Sequence, residues 1–77
     1  SSQCRTKAGG EIDLIVEGSF GLVPIEVKYQ SNTKKQQITS LMHFVDTLKL
    51  PLGIVFNNCE KPSLITEKII QLPVGCL

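Results

Sequence analysis

A chain of 77 residues has room for one small domain, and a domain this size buries only about 60% of its unfolded surface, so its core must be simple. Hydrophobic residues at 42% and charged residues at 19% exclude a disordered composition, and no apolar run approaches the ~20 residues of a membrane span. A formal net charge of +1 lacks the basic excess of a domain that holds nucleic acid mainly through its phosphates, so charge alone does not point to DNA.

The chain opens Ser1-Ser2-Gln3, with no initiator methionine, basic region or apolar stretch. It therefore reads as neither a start nor a signal peptide, and is expected to be a fragment of a longer chain. Nothing divides residues 1–77, so one domain is expected. Gly9-Gly10 opens a β-branched segment, residues 12–16, that favours a strand. Gly18, Ser19 and Gly21 supply turn chemistry, so a hairpin follows. The return strand, residues 22–28, places Val23, Ile25 and Val27 on one alternation and Pro24, Glu26 and Lys28 on the other. Residues before Gly9, including Cys4, Arg5 and Thr6, are candidates for a short leading strand.

Polar residues 30–37 form a loop and a helix start, in which Thr33 and Gln36 have capping-box spacing. Ile38, Leu41, Phe44, Val45 and Leu48 then recur at helical spacing to about Lys49, and Pro51 stops the helix. Residues 52–56 read as a strand, Asn57-Asn58 as a turn, and residues 69–74 as a terminal strand after a polar stretch. The expected fold is α/β, a small mixed sheet with one crossover helix joining parallel strands by a right-handed connection. Cys4, Cys59 and Cys76 are odd in number and lack CxxC spacing. They are expected to be reduced thiols in a cytoplasmic protein, neither a zinc set nor a disulfide framework.

Residues two apart on a strand share a side, so Glu26 and Lys28 present a carboxylate beside an ammonium. A hairpin turning at residues 18–21 brings Asp13 opposite or close to Glu26, which makes a carboxylate pair. Two hard oxygen ligands on neighbouring strands, with a backbone carbonyl such as that of Val27, suit Mg²⁺ or Mn²⁺. Such an ion would activate water toward a phosphodiester, with Lys28 orienting the water or stabilising the growing charge. The bland alternative makes Glu26 and Lys28 the solvated face of a half-buried strand and Asp13 a surface charge near a turn, because ExK is a common tripeptide.

The run Arg5-Thr6-Lys7-Ala8-Gly9-Gly10-Glu11-Ile12-Asp13, then Pro24-Ile25-Glu26-Val27-Lys28, a helix containing Leu41 and Phe44, and Gly53-Ile54-Val55 together resemble a known pattern. It is that of DUF4143, a C-terminal domain found behind AAA-type ATPase modules. The resemblance runs from about Cys4 to Val74 and is most specific at residues 24–28. It implies a restriction-endonuclease-like core fragment of the PD-(D/E)xK nuclease-like superfamily. Asp13 then matches the first acid, Glu26 the second and Lys28 the lysine. The function implied is Mg²⁺- or Mn²⁺-dependent hydrolysis of DNA in a chain that carries an ATPase upstream. The alternative is an inactive nuclease-fold module with a regulatory, DNA-contacting or protein-interaction role.

Active members often carry another acid on a helix before the first core strand, which this chain has no room for; Glu11 is the nearest substitute. Arg5, Lys7, Lys34 and Lys35 are candidates for a basic rim that contacts phosphates, or an ordinary solvated surface. Gln30 and Ser31, directly after the lysine strand, are within reach of a phosphate or of the attacking water, or are plain turn residues. His43 reads as a helix residue without catalytic role, and Tyr29, one aromatic beside the site, does not make the stacking platform of single-strand binders. A partner surface or a second copy is expected to cover part of the sheet, because so small a domain has little core of its own.

Overall fold

In a computed structural model, residues 12–76 are described. Strand β1 (Leu14–Gly18) turns into β2 (Gly21–Val27); a 3-10 turn at Lys35–Gln37 leads into helix α1 (Thr39–Thr47); β3 (Gly53–Asn57), β4 (Ser63–Thr66) and β5 (Ile69–Pro73) follow. These strands form one five-stranded sheet in the order β1-β2-β3-β5-β4. β2, β3 and β5 are parallel, and the edge strands β1 and β4 run antiparallel to their neighbours. The result is the expected small mixed α/β sheet with one helix linking two parallel strands. The proposed leading strand near Cys4, together with Arg5, Lys7 and Glu11, lies outside the described residues.

The β1–β2 hairpin closes through Ser19-Phe20, with Gly18 paired to Gly21. Gly21 has φ +103°, a conformation that a side chain makes costly. A Cβ on Gly18 would lie 2.6 Å from the Phe20 ring, so the bare glycine lets that ring fold back over the turn. Pro24 is tolerated in an interior strand because pairing with β3 begins only afterwards, at Ile25 with Ile54.

Helix α1 is set by Ile38, Leu41 and Val45, all buried and packed with Leu50, Val55 and Ile69. Gly53 lets it lie close on β3: a Cβ there would meet the Val45 side chain at 3.0 Å. The helix ends before Pro51 through a Schellman motif. The Lys49 amide donates to Asp46 and the Leu50 amide to Val45, while Lys49 itself takes φ 53°. Leu48, assigned to the buried stripe from the sequence, is therefore exposed beyond the last turn, and Leu50 takes its place in the core.

Two further expectations are corrected. Thr33 does not cap the helix: it is buried, and its hydroxyl accepts a bond from Asn57. Capping instead falls one residue later and on the 3-10 turn that precedes α1, where the Gln37 side chain reaches back to the Lys34 amide at 2.9 Å. The polar stretch before β5 also contains β4, an edge strand with a bulge between Leu64 and Thr66, a feature that discourages edge-to-edge pairing.

Paired residues share a face, so the register decides what the helix covers. Glu26 pairs with Val55, and Val55 with Gln71, so all three face α1. The other face carries Val16, Val23, Ile25 and Ile54, which with Phe20 and Leu52 line a shallow apolar depression of about 400 Å³.

Candidate functional site

Parallel strands deliver their carboxyl ends to one edge of a sheet, where open α/β folds place their ligands. Here that edge collects Glu26 and Val27 from β2, Lys28 directly after it, Asn57 from β3, and the segments that leave them. Glu26 is 1% exposed, beneath the helix layer beside Val55. The Lys28 ammonium lies 3.3 Å from its Oε2. Burying a carboxylate away from water is costly unless a cation and polar partners answer it, and Lys28 supplies that cation. The solvated-face alternative fails at Glu26, although Asp13 is exposed as that alternative requires.

Asp13 stands just outside β1, which begins at Leu14 rather than at residue 12. Its amide donates to the Ile25 carbonyl at 3.0 Å, yet Ile25 is the register partner of Leu14. Regular pairing is therefore broken at Asp13, and the chain does not continue up the edge of β2. The Asp13 carboxylate fills the place of the missing strand: its Oδ2 accepts the Val27 amide at 2.8 Å. A strand residue points its N–H and C=O toward the same edge, so the Val27 carbonyl also faces the side from which Asp13 approaches. Asp13 is thus anchored on the amide of Val27, the residue between the paired Glu26 and Lys28.

The donor set suits a hard cation. Each carboxylate oxygen has two lone pairs, so accepting one amide does not exhaust Asp13. Among the described residues no three His, Cys, Asp or Glu side chains come together. Two carboxylates, the Val27 carbonyl and water make the sparse oxygen set that Mg²⁺ accepts and Zn²⁺ rarely does. Asp13, Glu26 and Val27 are the residues that would hold it.

The other candidates sort by position. Lys34 and Lys35 are exposed on the segment that follows Lys28. The Gln30 carboxamide donates to the Asn32 carbonyl at 2.8 Å and to Gln37 at 2.9 Å, so it shapes the loop. Ser31 is exposed in that loop and His43 on the helix; His43 lines a depression of about 370 Å³ against the β4–β5 turn that contains none of Asp13, Glu26 or Lys28. Cys59 is a free thiol.

Sequence reasoning missed a buried amide network beside the site. The Asn57 Nδ2 donates to Thr33 Oγ1 at 2.8 Å and to Gln71 Oε1 at 2.7 Å. Gln71 Nε2 passes the chain on to Ser63 Oγ at 2.8 Å, and Asn57 Oδ1 accepts the Cys59 amide at 3.0 Å. The signal available was Gln71, a polar residue inside the apolar run Ile69-Ile70-Gln71-Leu72; such a residue in a central strand needs a buried partner.

Fold and site define a small α/β domain with a five-stranded mixed sheet and a buried glutamate paired with a half-buried lysine at the carboxyl end of a parallel strand. The family model described as Domain of unknown function (DUF4143) matches residues 2–77, and the chain belongs to that family. No curated protein and no solved structure matches the chain. Among the described residues no helix is long and apolar enough to cross a membrane.

Proposed function

We propose that this chain carries the metal-binding half of a PD-(D/E)xK nuclease-like site, in a restriction-endonuclease-like core, that hydrolyses phosphodiester bonds of DNA in a protein with an ATPase upstream. What supports this reading most is the burial of Glu26 against Lys28, with Asp13 held on the amide of the residue between them. Asp13, Glu26 and the Val27 carbonyl would hold Mg²⁺ or Mn²⁺. When bound, such an ion supplies Lewis acidity to a phosphoryl oxygen and lowers the pKa of a bound water. Lys28 then has the role of orienting the attacking water or of stabilising charge that grows on the phosphoryl oxygens. The Asp13–Val27 bond sets the position of one carboxylate before any ligand arrives, which is the preorganisation such a site needs. Lys34 and Lys35, exposed on the segment that follows Lys28, would contact the phosphate backbone on this reading.

A second reading keeps the fold and drops the chemistry, as a regulatory module of an AAA-type ATPase. The observation in its favour is that both carboxylates already have partners within the fold, Lys28 for Glu26 and the Val27 amide for Asp13. Titration with Mn²⁺ while amide resonances are followed separates the two. Saturable effects centred on Asp13, Val27 and Glu26, lost in Asp13→Ala together with Mg²⁺-dependent cleavage, support the nuclease. A chain that folds but shows no response at those amides leaves only the regulatory module.

A further inference from the structure

The backbone turns sharply as it leaves the site. The Gln30 amide donates to the Lys28 carbonyl at 3.0 Å, which makes a three-residue turn with Tyr29 at its apex. Both flanks of this turn are tied to β3 and its exit: the Lys28 amide donates to the Phe56 carbonyl at 2.8 Å, and the Asn58 amide to the Gln30 carbonyl at 2.8 Å. The Gln30 side chain braces the loop from the other direction through Asn32 and Gln37. Tyr29 therefore rides on backbone with little freedom, yet it is 81% exposed, more than any other large apolar side chain described.

A tyrosine has roughly 150–250 Å² of surface to bury, and an aromatic ring presented on a rigid backbone binds with little ordering cost. Charge indicates what kind of ligand would cover it. From Val27 to Val45 there is no Asp or Glu, while Lys28, Lys34 and Lys35 all fall there. Lys28 is matched by Glu26, which leaves the exposed Lys34 and Lys35 as the surplus. A ligand with a flat π-face beside an anion is a nucleotide unit, with its base on the ring and its phosphate toward the lysines. Bases in a duplex are already stacked on both sides and offer no free face. A single ring takes a single base, so this is a local contact and not an extended platform.

We propose that Tyr29 is a base-stacking specificity residue that directs the adjacent site toward an unpaired strand of DNA. This rests on the phosphodiester reading of Asp13, Glu26 and Lys28.

Tyr29 is the sole tyrosine and the chain has no tryptophan, so intrinsic tyrosine emission reports on this ring alone. The full chain, in Mg²⁺ at low temperature, is titrated with oligodeoxythymidylate and with a duplex of equal length. The unpaired strand should quench the emission and the duplex should not. By anisotropy of a labelled strand, Tyr29→Ala should weaken unpaired-strand binding about tenfold or more, and Tyr29→Phe should keep it within about twofold. Thermal melting should be the same for all three proteins, because the ring packs on nothing that folding requires. Unquenched emission, or equal affinity of wild type and Tyr29→Ala, overturns the proposal. Mn²⁺ effects on the amides of Asp13 and Glu26 keep the two ideas apart. A normal metal response with Tyr29-independent binding defeats the stacking role alone. Tyr29-dependent binding without any metal response upholds the base contact and defeats hydrolysis.

Discussion

Replacing Asn57 by alanine tests whether the buried amide network holds the carboxyl end of the sheet together. Asn57 is 0% exposed, and its side chain makes three bonds, to Thr33, Gln71 and the Cys59 amide. The losses are unequal. Gln71 Oε1 is left buried among β-strands, and such an orphaned acceptor costs about 1–3 kcal/mol. The Thr33 hydroxyl can rotate to another partner, and Cys59 is only half-buried, so water reaches its amide; together these cost about 1 kcal/mol more. A domain of this length has in total roughly 4–12 kcal/mol of stability, so a loss near 3 kcal/mol is a large share of it. The melting temperature should fall by at least about 10 °C, as followed by far-ultraviolet circular dichroism, with the urea midpoint falling in step. Asn57→Asp is the control. It preserves volume and the acceptor for Cys59 but replaces the donor to Gln71 with a second acceptor, so it should destabilise at least as much. A loss below about 1 kcal/mol in the alanine variant, or an aspartate variant as stable as wild type, would refute the claim that these bonds hold the strand ends.

Lys49→Gly should raise stability by about 0.5–1 kcal/mol in urea titration, because φ 53° is a left-handed conformation that a lysine adopts at a cost and glycine does not. Asp13→Asn should keep an acceptor for the Val27 amide, and with it the melting temperature, while Asp13→Ala loses about 0.5–1 kcal/mol for that exposed bond; both should lose the Mn²⁺ response, which separates the structural role of Asp13 from ligation. Lys28→Met, which takes the ammonium from the buried Glu26, should cost about 3 kcal/mol, whereas the double variant Glu26→Leu with Lys28→Met should restore wild-type stability or exceed it; a double variant less stable than Lys28→Met would mean that the ion pair is a stabilising device.

The sequence carried the elements better than their faces. Ile38, Leu41 and Val45 announced the helix, and the alternation of Val23, Ile25 and Val27 announced β2. That same alternation suggested an apolar buried face and a polar solvated one, yet the helix covers the side with Glu26, and Val23 and Ile25 look onto the open depression. The reason is that β2 pairs on one side with a parallel strand. Such strands are buried toward both faces, so periodicity alone cannot tell which face takes the helix; only the register Glu26 to Val55 does. β4 was lost for a related reason. As an edge strand with Ser63 and Thr66 at its ends, it buries little and lacks the apolar run by which strands are recognised. Asp13 came close to its place without its mechanism being visible, because the break in pairing at Ile25 depends on backbone geometry that residue types do not encode. Asn57 was read as a turn residue on its preference for such positions, and its burial follows only from having Thr33 and Gln71 brought in from two other parts of the chain.

The burial of Glu26 bears most directly on function. A carboxylate and an ammonium taken out of water recover in mutual attraction at best about what they lose in hydration. An apolar pair at the same two positions would pack toward Val55, the register partner of Glu26, without that loss. In a domain with so small a core, stability is therefore a poor reason for a charged pair in this location. Nor does the fold need the pair to fix its register, since the pairing of β2 with β3 is set by backbone bonds and by the crossover of α1. What the arrangement does provide is a carboxylate held in one orientation, shielded from bulk solvent on the helix side, with an ammonium at 3.3 Å and a second carboxylate anchored on the neighbouring peptide. In a solvated cleft the same groups would be mobile and screened. On the proposed phosphodiester reading, their value lies in being fixed where a hard cation, or the charge developing on a phosphoryl group, would meet them in a low dielectric.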